Sequence, residues 1–250
     1  MEFNFDPVAF EIFGIEIMWY AIIICIGFIL GMAVATKLAK YNNINPDTVI
    51  DILLYALPAA IVGARLYYVA FQWDDYKDNL WEILNTRNGG MAIYGGLIGA
   101  FLVGAIYLKK KKLSFFKVVD IFMPAIALGQ SIGRWGNFIN QEAYGVATNL
   151  PWGIIINGEK VHPTFLYESL GDFIIFLVLY KICKGNRKFE GQVFSLYLIL
   201  YGILRFFVEG LRIDSLYIFN FRVSQILSLI LVVVGIIIYI IKNKKINKKI

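Results

Sequence analysis

Apolar residues recur in seven runs, each near the length a helix needs to cross a bilayer. They are Ile17–Thr36, Ile52–Phe71, Met91–Leu108, Val118–Trp135, Phe165–Cys183, Val193–Val208 and Val223–Ile241. A spanning helix takes roughly 17–25 residues, and in hydrocarbon only helices and closed barrels satisfy every backbone hydrogen bond. The runs therefore predict an all-α integral membrane protein with seven transmembrane helices. Composition agrees, with 59% hydrophobic and 17% charged residues, against about 25% charged in soluble domains. No repeat, low-complexity tract or linker marks a boundary, so residues 1–250 read as a single seven-helix transmembrane domain. Cys25 lies inside an apolar run and Cys183 beside a lysine cluster, which indicates neither a disulfide framework nor a cysteine metal site. One histidine and dispersed carboxylates likewise make no zinc or paired-metal site.

Orientation follows from the basic residues, because cytoplasmic loops are enriched in Lys and Arg. Met1 to Glu16 carries Glu2, Asp6, Glu11 and Glu16 without a Lys or Arg. A secretory signal needs a basic start, so this reads as a retained external segment. With the N-terminus outside, the inner segments hold Lys37, Lys40, Lys109 to Lys112, Lys117, Lys181, Lys184, Arg187, Lys188, Lys242, Lys244, Lys245, Lys248 and Lys249. The outer ones hold only Lys77, Arg87, Lys160, Arg212 and Arg222. This bias fits seven spans with a cytoplasmic C-terminus. The net charge of +6 is then a topology signal in contact with anionic membrane lipid, not a nucleic-acid footprint.

Three basic residues fall outside that pattern. Arg65, Arg134 and Arg205 lie inside or at the edge of apolar runs, each toward the outer end of its helix. Tyr20, Tyr94, Glu168 and Glu209 fall at the same depth, and His162 just precedes the fifth run. Snorkelling side chains would scatter over both interfaces, whereas intramembrane charge gathered on one side marks a functional site. The fourth run closes on Gly133-Arg134-Trp135-Gly136-Asn137-Phe138-Ile139-Asn140-Gln141-Glu142-Ala143-Tyr144-Gly145. Asn137 and Asn140 add amide donors and acceptors there, Glu142 a carboxylate, and Gly145 freedom to turn. Tyr201, Arg205, Glu209 and Arg212 share one helix face. Arg205 and Glu209 could simply neutralise each other. Three arginines at one level could instead hold a phosphate while a carboxylate orients one of them, which points to an anionic phospholipid head group presented from the outer leaflet.

Other residues carry weaker signals. His162 is of the residue type suited to exchanging a proton near neutral pH. Glu168 and Asp172 lie four residues apart on the fifth helix; Glu168 would orient a partner, and Asp172 would serve packing or a helix-to-helix hydrogen bond. Asp120 carries no assigned chemistry. Glycines from Gly89 through Gly96 would admit a head group near Tyr94, while Gly99 and Gly104 suit close helix packing. Trp19-Tyr20 would also suit an interfacial aromatic belt.

The Gly133–Gly145 stretch resembles the signature of bacterial prolipoprotein diacylglyceryl transferases, and the similarity extends through Gly89–Gly96, His162–Glu168 and Tyr201–Arg212. The resemblance implies a multi-pass protein of the bacterial cytoplasmic (inner) membrane, with its active site toward the outer face and no metal or organic cofactor. Members move a diacylglyceryl group from phosphatidylglycerol to the thiol of the lipobox cysteine in a preprolipoprotein signal peptide; a thioether forms and glycerol phosphate leaves. Carried over, the important positions are Tyr20, Arg134, Asn137, Glu142, Gly145, Arg205 and Glu209. Arg134 and Arg205 would bind the phosphate and neutralise the departing group, with Asn137, Glu142 and Glu209 positioning head group and arginines. Many members carry His where this chain has Tyr94, and tyrosine is a poor base at neutral pH. The thiol's proton acceptor is thus open between Tyr94, His162 and ionisation in the arginines' field. Rival readings are a seven-helix transporter or receptor for an anionic solute, and another phospholipid enzyme. The polar groups do not reach the midplane where transporter sites lie. The short basic inner loops offer little surface to a signalling partner, and no nucleophile–base pair supports a phosphatase or acyltransferase.

Overall fold

The computed structural model describes residues 6–86 and 89–247. Glu2, Arg87, Lys248 and Lys249, all used in the reading above, lie outside them. Helices α1 Trp19–Tyr41, α2 Asp47–Phe71, α4 Ile93–Lys110, α5 Phe115–Ile139, α6 Thr164–Lys181, α7 Gln192–Leu211 and α8 Val223–Asn247 each overlap one of the apolar runs, and α3 Trp73–Tyr76 is a single turn. Several helices outrun their apolar stretch, because polar residues such as Lys37 and Lys40 or Asp47, Thr48 and Asp51 continue a helix without being apolar. Six of them, α1, α2, α4, α5, α7 and α8, are long and apolar enough to cross a membrane. The remaining helix, α6, has the 18 residues of α4 but carries Glu168, Asp172 and Lys181.

Among the described residues, three antiparallel hairpins accompany the helices: β1 Val8–Ile12 with β2 Ile15–Met18, β3 Ile154–Ile156 with β4 Glu159–Val161, and β5 Tyr217–Ile218 with β6 Phe221–Arg222. The all-α expectation has no place for them, since strands of two to five residues leave almost no periodic signal beside twenty-residue apolar runs. The second hairpin turns at Asn157-Gly158, both with positive φ (51° and 80°), the pair favoured in two-residue hairpin turns.

The chain divides into two compact units, one of Ile44–Val118 and the other of the remaining chain on both sides. Within the first, α2 and α4 meet backbone to backbone. A Cβ on Gly63 would lie 2.5 Å from the Gly95 carbonyl oxygen, and one on Gly95 or Gly99 would collide with the carbonyl of Gly63 or Ala59. Small residues permit this approach in a bilayer, where helices associate through packing more than through solvent exclusion. Gly104, expected to share the role, has open space beside it. It lies further along α4 than Gly99. Tyr107 donates to Asp51 Oδ2 at 2.6 Å, tying the other ends of the two helices.

Within the second unit, α5 packs on α1 and α6. A Cβ on Gly31 would sit 3.2 Å from the Ala125 carbonyl, while Ser131 and Ser169 each donate to the other's carbonyl at 2.8 Å. Gly202 and Gly235 seat α7 against α8, where a Cβ would come 2.8 Å from the Ser228 and Ser195 carbonyls. Asp120 is fully buried and accepts from the backbone N–H of Gly191 and Phe194, both at 2.8 Å, and from Arg187 Nη1 at 3.3 Å. It thus caps the orphan amides opening α7 from a neighbouring helix, a structural task. Cys183 is buried and donates to the Asp120 carbonyl at 3.5 Å; both cysteines are free.

The α2–α4 contact predicts a contrast. Gly99→Val forces the helices apart and should lower stability by about 1–3 kcal/mol, the usual cost of overpacking. Gly104→Val should be neutral. Thermal unfolding of the detergent-solubilised protein separates the two, and equal melting temperatures would refute the close approach.

Candidate active site

Glu168, in the second turn of α6, is 1% exposed and collects two guanidinium groups. Arg134 Nη2 donates to its Oε1 at 2.5 Å, and Arg205 Nη1 donates to Oε1 at 3.2 Å and Oε2 at 3.0 Å. Three helices, α5, α6 and α7, therefore meet on one carboxylate. The buried pairing is favourable only because geometry and hydrogen bonds are complete. Arg205 Nη2 also lies 2.7 Å from Glu209 Oε2, an ion pair four residues along α7 whose alignment is not that of a hydrogen bond. Arg212 Nε approaches the same Glu209 oxygen at 4.0 Å and forks onto Asp214 at 2.6 and 2.8 Å. That fork holds the Asp214 carboxyl below the ordinary carboxylate range. Arg222 Nη1 donates to the Glu209 backbone carbonyl. Charge alternates along the α7 face, as the spacing of Arg205, Glu209 and Arg212 predicts.

Polar groups on the α5 side join the same cluster. Arg134 Nη1 donates to Asn137 Oδ1 at 3.3 Å, and Asn137 Nδ2 donates to Glu142 Oε1 at 2.7 Å. The chain leaves α5 through Gln141 and Ala143, both at positive φ, and the Glu142 N–H returns to the Asn137 carbonyl at 3.0 Å. Asn140 is exposed at that exit. Tyr20 of α1 lays its ring on Gly136, where a Cβ would lie 2.5 Å from a ring carbon. Tyr201 stacks parallel on Tyr197 at 5.5 Å, and Tyr197 donates to Gln130 at 3.0 Å.

Gly145 is buried, and its role is close approach more than turning. A Cβ there would meet His162 Cβ at 2.7 Å and the Leu211 carbonyl at 3.0 Å. Around it the loop forms a small mat: Gly145 N–H donates to the His162 carbonyl, Val146 N–H to the Leu211 carbonyl and Thr148 N–H to the Lys160 carbonyl. The mat rests on Ile154, Ile156, Val161 and Phe165, with Phe138 stacked on Phe165 at 4.4 Å. His162 faces Tyr167, Nδ1 to hydroxyl 3.2 Å, and Tyr167 accepts from Trp152 Nε1 at 2.8 Å. The Tyr167 proton is thereby free to donate to His162 Nδ1.

Two expected site residues belong to the Ile44–Val118 unit. Tyr94 is 51% exposed in the first turn of α4. Arg65 corrects the expectation made for it. Its five N–H groups donate to five carbonyls, Nε to Ile83, Nη1 to Gly89 and Gly90, and Nη2 to Glu82 and Asn85, at 2.6–3.0 Å. The guanidinium also lies 5.0 Å over the Tyr76 ring. A guanidinium has five N–H donors, so none remains for a phosphate, and Arg65 closes the loop between α3 and α4. Gly90 serves the same clamp, because a Cβ there would collide with Arg65 Nη1. Sequence reading also passed over Ser131, Ser169, Trp135 and Arg222. Trp135 Nε1 donates to Ser169 Oγ at 3.1 Å, bracing α6 one residue from Glu168. The only trace of this in sequence is serine within apolar runs.

Arg65→Met leaves five carbonyls without their donor. Hydrogen bonds to a charged group contribute about 1.5–3 kcal/mol, and about 1.4 kcal/mol is tenfold in an equilibrium. Chymotrypsin should therefore cut at Trp81 or Leu84 at least about tenfold faster than in the unaltered protein; equal rates would refute the clamp.

The family model of prolipoprotein diacylglyceryl transferase matches residues 7–241. Over 243 residues the chain is 63% identical to the phosphatidylglycerol–prolipoprotein diacylglyceryl transferase of Finegoldia magna, covering 97% of this chain and 98% of that one. The enzyme of the same name from Clostridioides difficile is 52% identical over 240 residues, with 96% of each covered. That of Enterococcus faecalis is 49% identical over 258 residues, with 98% and 93% covered. The match runs through both units, from the N-terminal hairpin to α8, and takes in the Arg134–Glu168–Arg205 junction: the chain belongs to the prolipoprotein diacylglyceryl transferase family.

Proposed function

We propose that this transferase moves the diacylglyceryl group of phosphatidylglycerol to the lipobox cysteine of preprolipoproteins, the first step of lipoprotein maturation. The relatives' shared name gives the two substrates; the observation that carries the mechanism is the meeting of Arg134 and Arg205 on one buried carboxylate. The thiol sulfur attacks the glyceryl carbon bound to phosphate, an S–C bond forms, and the C–O bond breaks with its electron pair leaving on glycerol phosphate. Charge therefore grows on the phosphate, where two fixed guanidinium groups in a water-poor setting stabilise it most. Asn137 and Glu142 set the rotamer of Arg134, and Glu209 that of Arg205. Tyr20 forms one wall against Gly136, and Gly145 anchors the loop mat beside His162. Arg65 stands outside this machinery, as a clamp on its own loop.

The protein is a multi-pass membrane protein, and the basic loops support a topology with seven spans, N-terminus outside and C-terminus cytoplasmic. In it α6 is the span, fifth in chain order, that joins the six apolar ones. Charges at a helix centre cost about 2.5–3.5 kcal/mol each on insertion, and here the Glu168 charge is offset by arginines from two neighbouring helices. The cluster then opens toward the outer face of the cytoplasmic membrane, where lipobox cysteines emerge. Rivals that bind an anionic solute without chemistry have no observation in their favour.

Purified protein, dioleoylphosphatidylglycerol and a synthetic lipobox peptide should yield a diacylglyceryl thioether, detected by mass spectrometry; no product would refute the activity. Arg134→Lys and Arg205→Lys, which keep charge but lose the fork, should each lower kcat/KM by about 10²–10³-fold while the protein still inserts. Near-normal rates would reject phosphate clamping.

A further inference from the structure

Glu168 holds the guanidinium groups that the reaction proposed above needs for a phosphate. Both its oxygens are engaged, Oε1 by Arg134 and Arg205 and Oε2 by Arg205. Charges nearby are already matched, since Arg205 also faces Glu209, and Arg212 is taken by Asp214 with Glu209 at 4.0 Å. The other titratable groups facing Glu168 are Tyr197 and Tyr201 of α7 and Asp172 of α6. Asp172 is fully buried one turn along α6, and neither of its oxygens has a hydrogen-bond partner; being itself an acid, it offers Glu168 no compensating charge.

An anionic phosphodiester competes with the carboxylate for those guanidinium N–H groups, because each N–H serves one strong acceptor at a time. A carboxylate stripped of both partners where water hardly reaches is costly, and taking up a proton removes that cost. The reaction has a proton to give, since a thiol must lose its own to become a strong nucleophile. The alternatives are poorly placed. His162 is engaged by Tyr167 in the loop mat, and Tyr94 is a phenol.

We propose that Glu168 is the proton acceptor for the lipobox thiol, freed for that task when the phosphate of phosphatidylglycerol takes Arg134 and Arg205 from it. This rests on the activity proposed above. The thiol proton passes to Glu168, the sulfur pair forms the S–C bond, and the broken C–O bond leaves glycerol phosphate as a dianion held by the two arginines. Glu168 then returns its proton to the departing phosphate and recovers the arginines. Substrate exchange and proton transfer are one coupled event.

Glu168→Gln removes a competitor for the arginines together with the base, so binding and turnover should part. The apparent KM for dioleoylphosphatidylglycerol should stay level or fall, while kcat falls about 10²–10⁴-fold, the usual worth of a general base. From about pH 6 to 8, below the ordinary titration of a free thiol, the kcat of this variant should climb about tenfold per pH unit as the peptide thiol ionises unaided. The unaltered enzyme should stay nearly flat there. A kcat within about twofold of the unaltered enzyme, or joint loss of affinity and kcat with a flat pH profile, would overturn the assignment. Glu168→Asp, which keeps a carboxylate, guards against misfolding of the first variant. It should insert and turn over more slowly with the flat profile, and a climbing profile in it would equally overturn the role. Product formation by the unaltered enzyme on the same substrates is the control, because its absence would count against the proposed activity and not against Glu168.

Discussion

Two guanidinium groups and one carboxylate, all largely withdrawn from water, decide how the helices around them can be arranged. Glu168 on α6 cannot be buried at 1% exposure unless Arg134 and Arg205 reach it, and neither arginine can sit inside an apolar helix without such a partner. The α5–α6 and α6–α7 contacts are thereby fixed in register at one point. The serine pair Ser131 and Ser169, with Trp135 on the same hydroxyl, holds α5 to α6 one residue away. Apolar packing alone would tolerate a slip along the helix axis; a three-way ion pair with distances of 2.5–3.2 Å would not.

Polarity is distributed by task. Asp120 spends its charge on the amides that open α7 and Arg65 its five donors on one loop, so both are saturated and structural. Glu168, Arg134 and Arg205 pair with one another, which leaves them exchangeable against an anion of similar geometry. A carboxylate and a phosphate present comparable acceptors to a guanidinium fork. The same contact can therefore organise the protein and yield to a head group, and catalysis needs only the difference between the two partners.

Backbone proximity supports this arrangement elsewhere. Gly63, Gly95 and Gly99 let α2 and α4 touch, and Gly136 receives the Tyr20 ring one turn from Asn140 and beside Asn137. Gly145 lets the loop mat press on His162 and the end of α7. Each of these glycines acts by lacking a Cβ, and none has a positive φ.

Sequence by itself determined the membrane class, the positions of the apolar helices to within a few residues, and the set of polar residues worth following. Length and hydropathy set the first two, since the bilayer admits few alternatives. Arg134, Arg205, Glu168 and Glu209 stood out because charge in an apolar run needs a reason. Partner choice was another matter. Arg65 looked equivalent to the other arginines, yet its loop supplies five carbonyls, and only the placement of Glu82, Ile83, Asn85, Gly89 and Gly90 decides that. Gly104 looked equivalent to Gly99, yet only the crossing of α2 and α4 shows which glycine is pressed. The hairpins, the cap that Asp120 places on α7 from another helix, and the sharing of Glu168 between two arginines were likewise decided by tertiary structure. Hydrogen bonds between residues 34 or 74 positions apart leave no periodic trace in a sequence, whereas burial in lipid leaves one in every turn.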